Sequence, residues 1–327
     1  FGPRPDDFVA CNAPIQGLYD LGVAVQENSE LDLYLAYQKH ENDPRIPEIV
    51  QDMIRELGEA RYTETLPRMA QYEVTLLDWM KDNLGERRYA AFANKCWPAF
   101  QQVFGFLPCY VHSRLAGQGI PVACETDVYG ALSEYIGLCI GQKPVTLMDI
   151  NNAIPDDIYQ DIRQDGFPYR QGELFMAFHC GNTSSGCLVN PKLKYKINRK
   201  NPYAPETGKE NNRGTLEGQM ISGKMTMFRL HSDPDGRLKA YVANGEILPA
   251  EVNTYGDYGI FAVKEMERFY RYVLVEQHFP HHAAILFENQ AEAVFEVLRY
   301  LGITSIGYNQ PQSLPYAAEN PFYDHEG

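Results

Sequence analysis

Groups able to move protons or hold a divalent cation stand at the ends of apolar, strand-like runs in this sequence. Glu125 follows "IPVAC", Asp149 follows "VTLM", His179 follows "LFMAF", and His281-His282 opens "AAILFE" after a proline. A carboxylate at the end of a buried strand has to reach solvent, accept hydrogen bonds or bind a cation, because an unpaired buried charge is too costly. Two such carboxylates with one or more histidines form an oxygen and nitrogen set that suits manganese and similar divalent ions. Singly, each histidine reads as a satisfied structural residue. The separations are long and no HExxH is present, so only the fold can bring these groups together. Asp127 stands at the start of a helix-like stretch, Ala131 to Leu138, and reads as its cap.

The elements that must position these residues change character along the chain. Ile46, Ile49, Val50, Met53, Ile54 and Leu57 fall at helical spacing, with Gly58 placed to end the helix. A second helix is expected from Glu64 to Leu84, with Leu76, Leu77 and Met80 on its apolar face. "RYAAFAN", "IPVAC" and "PVTLMDI" then read as strands of one parallel α/β sheet, the last two joined by the helix after Asp127. In such a sheet ligands collect at the carboxyl ends of the strands, which pairs Glu125 with Asp149. Beyond about residue 152 the sequence leans to β, with turns expected at Asp235-Gly236 and Asn244-Gly245. A last helix is expected from Ala291 to Leu301. The fold class is therefore α/β plus mostly β, with a parallel-sheet, Rossmann-like domain over 1–152 and a β-rich domain over 153–327. Residues 198–214, polar and proline-containing, read as a mobile loop inside the second domain.

Composition narrows the partners. The net charge of −14 over 327 residues disfavours nucleic acid and anionic membrane surfaces. "KLKYKINRK" reads as a solvated strand rather than a nucleic-acid stripe. No run has the length of a membrane span. The seven cysteines lie in apolar segments without CxxC spacing and read as reduced, buried thiols of a cytoplasmic protein. "RLAGQGIPVA" lacks the third glycine of a dinucleotide fingerprint, and no phosphate loop is present. Cys180, beside His179, lacks the base and oxyanion arrangement that thiol catalysis needs.

"ACETDVYGAL", "KCWP", "MDINN", "FHCGN", "GTLEGQMISGKMTMFRL" and "FPHHAAILF", in this order, resemble the L-fucose and L-arabinose isomerase superfamily on its L-fucose isomerase-like side. The opening "FGPRPDDFVACNAPI" with "LGVAVQE" resembles the start of that family's middle domain. The resemblance thus covers the middle and C-terminal domains, the latter barrel-like, and the family's N-terminal domain is expected to be absent from this sequence. It implies a manganese-dependent aldose-ketose isomerase in which Glu125 and Asp149 both ligate the metal and act as the acid/base pair. The third ligand falls at His282, with His281 as the alternative, and His179 corresponds to an additional ligand of the arabinose isomerases. Lys95, Trp97 and Arg229 are implied at the sugar or in support of the metal. The expected substrate is a small sugar, L-fucose first or a related deoxy or pentose sugar such as L- or D-arabinose, with a 6-substituted hexose such as a sulfonated one as the alternative. A homo-oligomer, trimer or hexamer, is also implied, and a non-catalytic sugar-binding relative is the competing reading.

Overall fold

The computed structural model describes residues 1–3, 9, 11–58, 64–97, 99–195, 213–252, 254–320 and 322. The loop expected at 198–214 lies, but for its last two residues, outside these. Eleven strands are formed among the described residues: β1 Phe92–Asn94, β2 Val122–Cys124, β3 Thr146–Ile150, β4 Leu174–His179, β5 Leu188–Tyr195, β6 Arg213–Met220, β7 Gly223–Ser232, β8 Leu238–Leu248, β9 Asp257–Ala262, β10 His282–Leu286 and β11 Ser305–Tyr308. β1 and β2 form a small parallel sheet, and the other nine form one mixed sheet. The chain is α/β.

The expected three-stranded parallel sheet is corrected here. β3 does not join β2; it runs antiparallel to β10 on one side and to β4 on the other. The cause is legible in its composition. Thr146, Leu147, Met148 and Ile150 are all buried, and a continuously apolar strand carries no alternation to say which sheet it enters. Glu125 and Asp149 therefore reach each other from two different sheets.

The pairings of the large sheet run in a closed circuit. β8 pairs with β7, β7 with β10, β10 with β3, β3 with β4, β4 with β9, and β9 again with β8. β5 and β6 extend it beside β9, and β11 pairs parallel with β8. Asp235-Gly236 is the expected turn between β7 and β8, with Gly236 at φ 82°. Asn244-Gly245 is not a turn. It lies within β8, opposite Thr226 and Met225 of β7. A Cβ on Gly245 would stand 2.3 Å from the Ala262 carbonyl oxygen, so its glycine permits the close approach of β9 that completes the circuit.

Both faces of the central strands are buried. Met148, Ile150, Ala283 and Ile285 belong to one apolar cluster, whereas Leu147, Ala284 and Leu286 belong to another that includes Val294 and Leu298 of the helix Ala291–Tyr300. The helix Val128–Gly141 packs on β10 and β7. The helices Ile46–Leu57 and Leu66–Asn83 form where expected. The second buries Met69, Ala70, Tyr72 and Leu76, while Leu77 and Met80 are only partly buried. Of the cysteines, Cys139 is exposed and Cys96 and Cys180 half-buried, against the expectation of burial throughout. Among the described residues no helix is long and apolar enough to cross a membrane.

Candidate metal and acid/base site

Glu125 is delivered by a strained turn. β2 ends at Cys124, Glu125 and Thr126 follow at φ 60° and 53°, and Asp127 begins the helix. Two consecutive non-glycine residues in the left-handed region cost free energy and persist where surrounding contacts hold them. Here the Thr126 amide donates to the Asn94 carbonyl of β1 at 3.3 Å and the Asp127 amide to that of Cys124 at 3.0 Å.

Asp149 and His282 are directly opposed across the β3–β10 ladder, so both side chains stand on one face. His282 Nε2 lies 3.1 Å from Asp149 Oδ1 and 3.6 Å from Glu125 Oε2. His281 Nε2 lies 3.4 Å and 3.8 Å from the same two oxygens but is more open to solvent. His179, at the end of β4, brings Nε2 to 3.8 Å from Asp149 Oδ1. The structure thus gathers five of the sequence-derived residues in one place.

The unsatisfied atoms of this group are informative. Asp149 Oδ1, His282 Nε2 and His179 Nε2 are buried without a hydrogen bond of good geometry, although buried polar atoms are nearly always paired. A carboxylate oxygen facing three imidazole nitrogens is the arrangement a cation would satisfy, and Cys11, Glu125, His281 and His282, or Asp149, His179 and His282, converge closely enough to hold one. The donor set therefore fits a divalent metal ion.

The two carboxylates are pushed apart in proton affinity. Burial raises Glu125 above its ordinary range. Burial acts on Asp149 too, but the His179, His282 and His281 imidazoles outweigh it and hold its carboxyl well below the usual range. Burial, reinforced by His282, lowers His281 to about 4. Paired acids driven in opposite directions can divide the roles of proton donor and acceptor.

Asp127 does more than cap its helix. Its Oδ1 accepts from the Gly130 amide at 2.8 Å, as expected of a cap, while Oδ2 lies 2.8 Å from His282 Nδ1. Arg229, fully buried, binds both Asp127 oxygens at 2.6 and 2.7 Å. Lys95 and Trp97 lie just beyond the carboxyl end of β1, half-buried, where Asn94 is level with Cys124, the residue before Glu125. Sequence reasoning did not single out Cys11, whose Sγ lies 3.3 Å from His282 Nδ1 and 3.6 Å from Glu125 Oε2. No local pattern marks a lone cysteine more than 100 residues from its neighbours. A cleft of about 730 Å³ elsewhere, lined by Val23, Val25, Trp79, Tyr89 and Leu132, meets the Glu125 turn only at Thr126.

With this geometry in place, comparison with known families finds a likeness over the C-terminal part. Residues 177–308 match the family described as L-fucose isomerase, C-terminal domain. Over this segment the chain is similar to that domain. The matched segment contains His179, Arg229, His281 and His282. Among curated proteins, this chain is 25% identical over 316 residues to a sulfoquinovose isomerase of Alkalicoccus urumqiensis, covering 92% of the chain and 62% of the relative. It is 24% identical over 258 residues to sulfoquinovose isomerases of Priestia aryabhattai and Priestia megaterium, covering 77% of the chain and 50% of each relative. The chain thus spans only about half to three-fifths of the length of these relatives.

Proposed function

We propose that this chain carries the catalytic centre of a metal-assisted aldose-ketose isomerase acting on a 6-sulfonated hexose. The observation that carries the reading is the convergence of Glu125 Oε2 and Asp149 Oδ1 on His282 Nε2, at 3.6 and 3.1 Å, with the last two atoms buried and unsatisfied. The relatives' names favour the sulfonated hexose over L-fucose. The closed circuit of strands supports the barrel-like expectation, with β3, from before residue 153, joining the later strands in it.

Glu125, Asp149 and His282 would hold the ion, manganese by the hard oxygen-rich set. When bound, it supplies Lewis-acid polarisation of the sugar oxygens at C1 and C2. Asp149, the readily ionised carboxylate, takes the proton from C2 as O1 gains one to give the enediol, and Glu125, the carboxyl with raised proton affinity, returns a proton to C1 as O2 loses its own, so that the net change is aldose to ketose. His179 is better suited to donate than to ligate. Its Nδ1 accepts the Cys180 amide at 2.8 Å, so the proton of its neutral ring sits on Nε2 toward Asp149. Lys95, at the same sheet end as Glu125, supplies a cation for the sulfonate, and Trp97 a face for the sugar. Arg229 acts through Asp127 and not on the sugar, since it is fully buried.

The test is conversion of a panel of aldoses, sulfonated hexose and L-fucose included, by the full-length protein with and without Mn²⁺. Metal-dependent turnover of the sulfonated hexose, abolished by chelation, is the expected result. Turnover of no aldose, or turnover indifferent to chelation, overturns the reading.

A further inference from the structure

The proton of the His282 ring is governed from behind the site. Asp127 is fully buried, and its two carboxylate oxygens meet a complete set of partners. Oδ1 accepts from Arg229 NH2 at 2.7 Å and the Gly130 amide at 2.8 Å, and Oδ2 accepts from Arg229 NH1 at 2.6 Å and lies 2.8 Å from His282 Nδ1. An ionised carboxylate offers only acceptor sites, so the short contact to Nδ1 requires that nitrogen to carry a hydrogen. The ring is then turned so that Nε2 alone faces Glu125 and Asp149.

We propose that Asp127, clamped by Arg229, is a positioning residue that keeps the Nδ1 proton on His282 and thereby presents Nε2 as the coordinating nitrogen. The proposal rests on the isomerase reading only for what Nε2 is used to bind. Such carboxylate partners fix the tautomer and orientation of ligating histidines. The same residue caps Val128–Gly141, so the helix start and the His282 ring are registered to each other through one side chain.

Asparagine at this position cannot reproduce the pattern. Its amide nitrogen would face either Arg229 and His282 or Arg229 and the Gly130 amide, opposing donor to donor in both orientations. The first is the one adopted, because the ring can answer by holding its proton on Nε2, which leaves one opposed pair where the second leaves two.

The test uses the metal-free full-length protein with ¹⁵N-labelled histidine. A proton bonded to Nδ1 of His282 is expected to give a slowly exchanging signal from neutral to alkaline pH, absent in His282→Gln. In Asp127→Asn that signal is expected to disappear, and Mn²⁺ affinity measured by calorimetry to fall about 10- to 100-fold. Because Asp127→Asn leaves a buried guanidinium short of a partner and can fail to fold, the wild-type signal is a test in its own right. A bare Nδ1 in the wild type, or a folded Asp127→Asn with unchanged signal and Mn²⁺ affinity, overturns the proposal. A wild-type protein that shows the Nδ1 proton but binds no Mn²⁺ supports the positioning role while sinking the isomerase reading.

Discussion

His282 and Asp149 sit directly opposite one another on antiparallel strands, with Nε2 3.1 Å from Oδ1. This fixed cross-strand pair gives the site its rigid half. Glu125 completes it from a strained turn on a separate sheet, where a change of a few degrees in two left-handed residues would move its carboxylate.

Glu125→Gln and Asp149→Asn keep shape and remove proton transfer. Each is expected to lower kcat by about 10²- to 10⁴-fold, the usual contribution of a positioned acid or base. Steady-state kinetics at saturating Mn²⁺ would check this; unchanged kcat in both variants removes them from the chemistry.

Lys95→Met is expected to raise KM for the sulfonated hexose more than for the unsubstituted sugar, with kcat little changed. Equal effects on the two sugars would take Lys95 away from the sulfonate.

Gly256 precedes Asp257 of β9 at φ 78°, and a Cβ there would stand 1.9 Å from the His179 carbonyl oxygen. Gly256→Ala should destabilise the protein by about 1–3 kcal/mol and displace His179. Denaturant unfolding reads the first effect and the pH profile of turnover the second.

Stability should also fall in acid through His112. Burial, with His179 adding to it, lowers His112 from 6.5 to about 3. The unfolded chain therefore binds more protons between these values, so the contribution is complete above about pH 6.5 and is lost as pH falls toward about 3. Glu134 runs the other way. Burial, aided by Asp127, raises it from 4.5 to about 8, so its contribution is complete below about pH 4.5 and is lost as pH rises toward about 8. Denaturation midpoints across pH should show a shallower rise between about pH 3 and 6.5 in His112→Gln and a shallower fall between about pH 4.5 and 8 in Glu134→Gln. Slopes unchanged from wild type would contradict both.

Much of the site was legible because its residues end apolar runs. Glu125, Asp149, His179 and His281-His282 each close or open a strand-like segment, and strand ends are where a fold exposes polar groups. The amphipathic helix at 46–57 and its glycine stop were legible for the same reason of period. The sheet to which Thr146–Ile150 belongs was not, because a strand buried on both faces carries no alternation. The Asn-Gly pair at 244–245 misled, since glycine serves there for close strand approach and not for a turn. The Asp127–His282 contact was hidden by a separation of 155 residues and by the sufficiency of helix capping as an explanation for the aspartate.

The central claim is that Glu125 and Asp149 shuttle protons through an enediol at one metal-assisted centre. Its most direct test is isomerisation of the sulfonated hexose by the Mn²⁺-loaded full-length protein in D₂O, with the ketose examined by NMR. The account predicts solvent deuterium at C1 of the product, because the carboxyl that returns the proton exchanges with solvent. Complete transfer of the original C2 hydrogen to C1, with no deuterium entering, would contradict it.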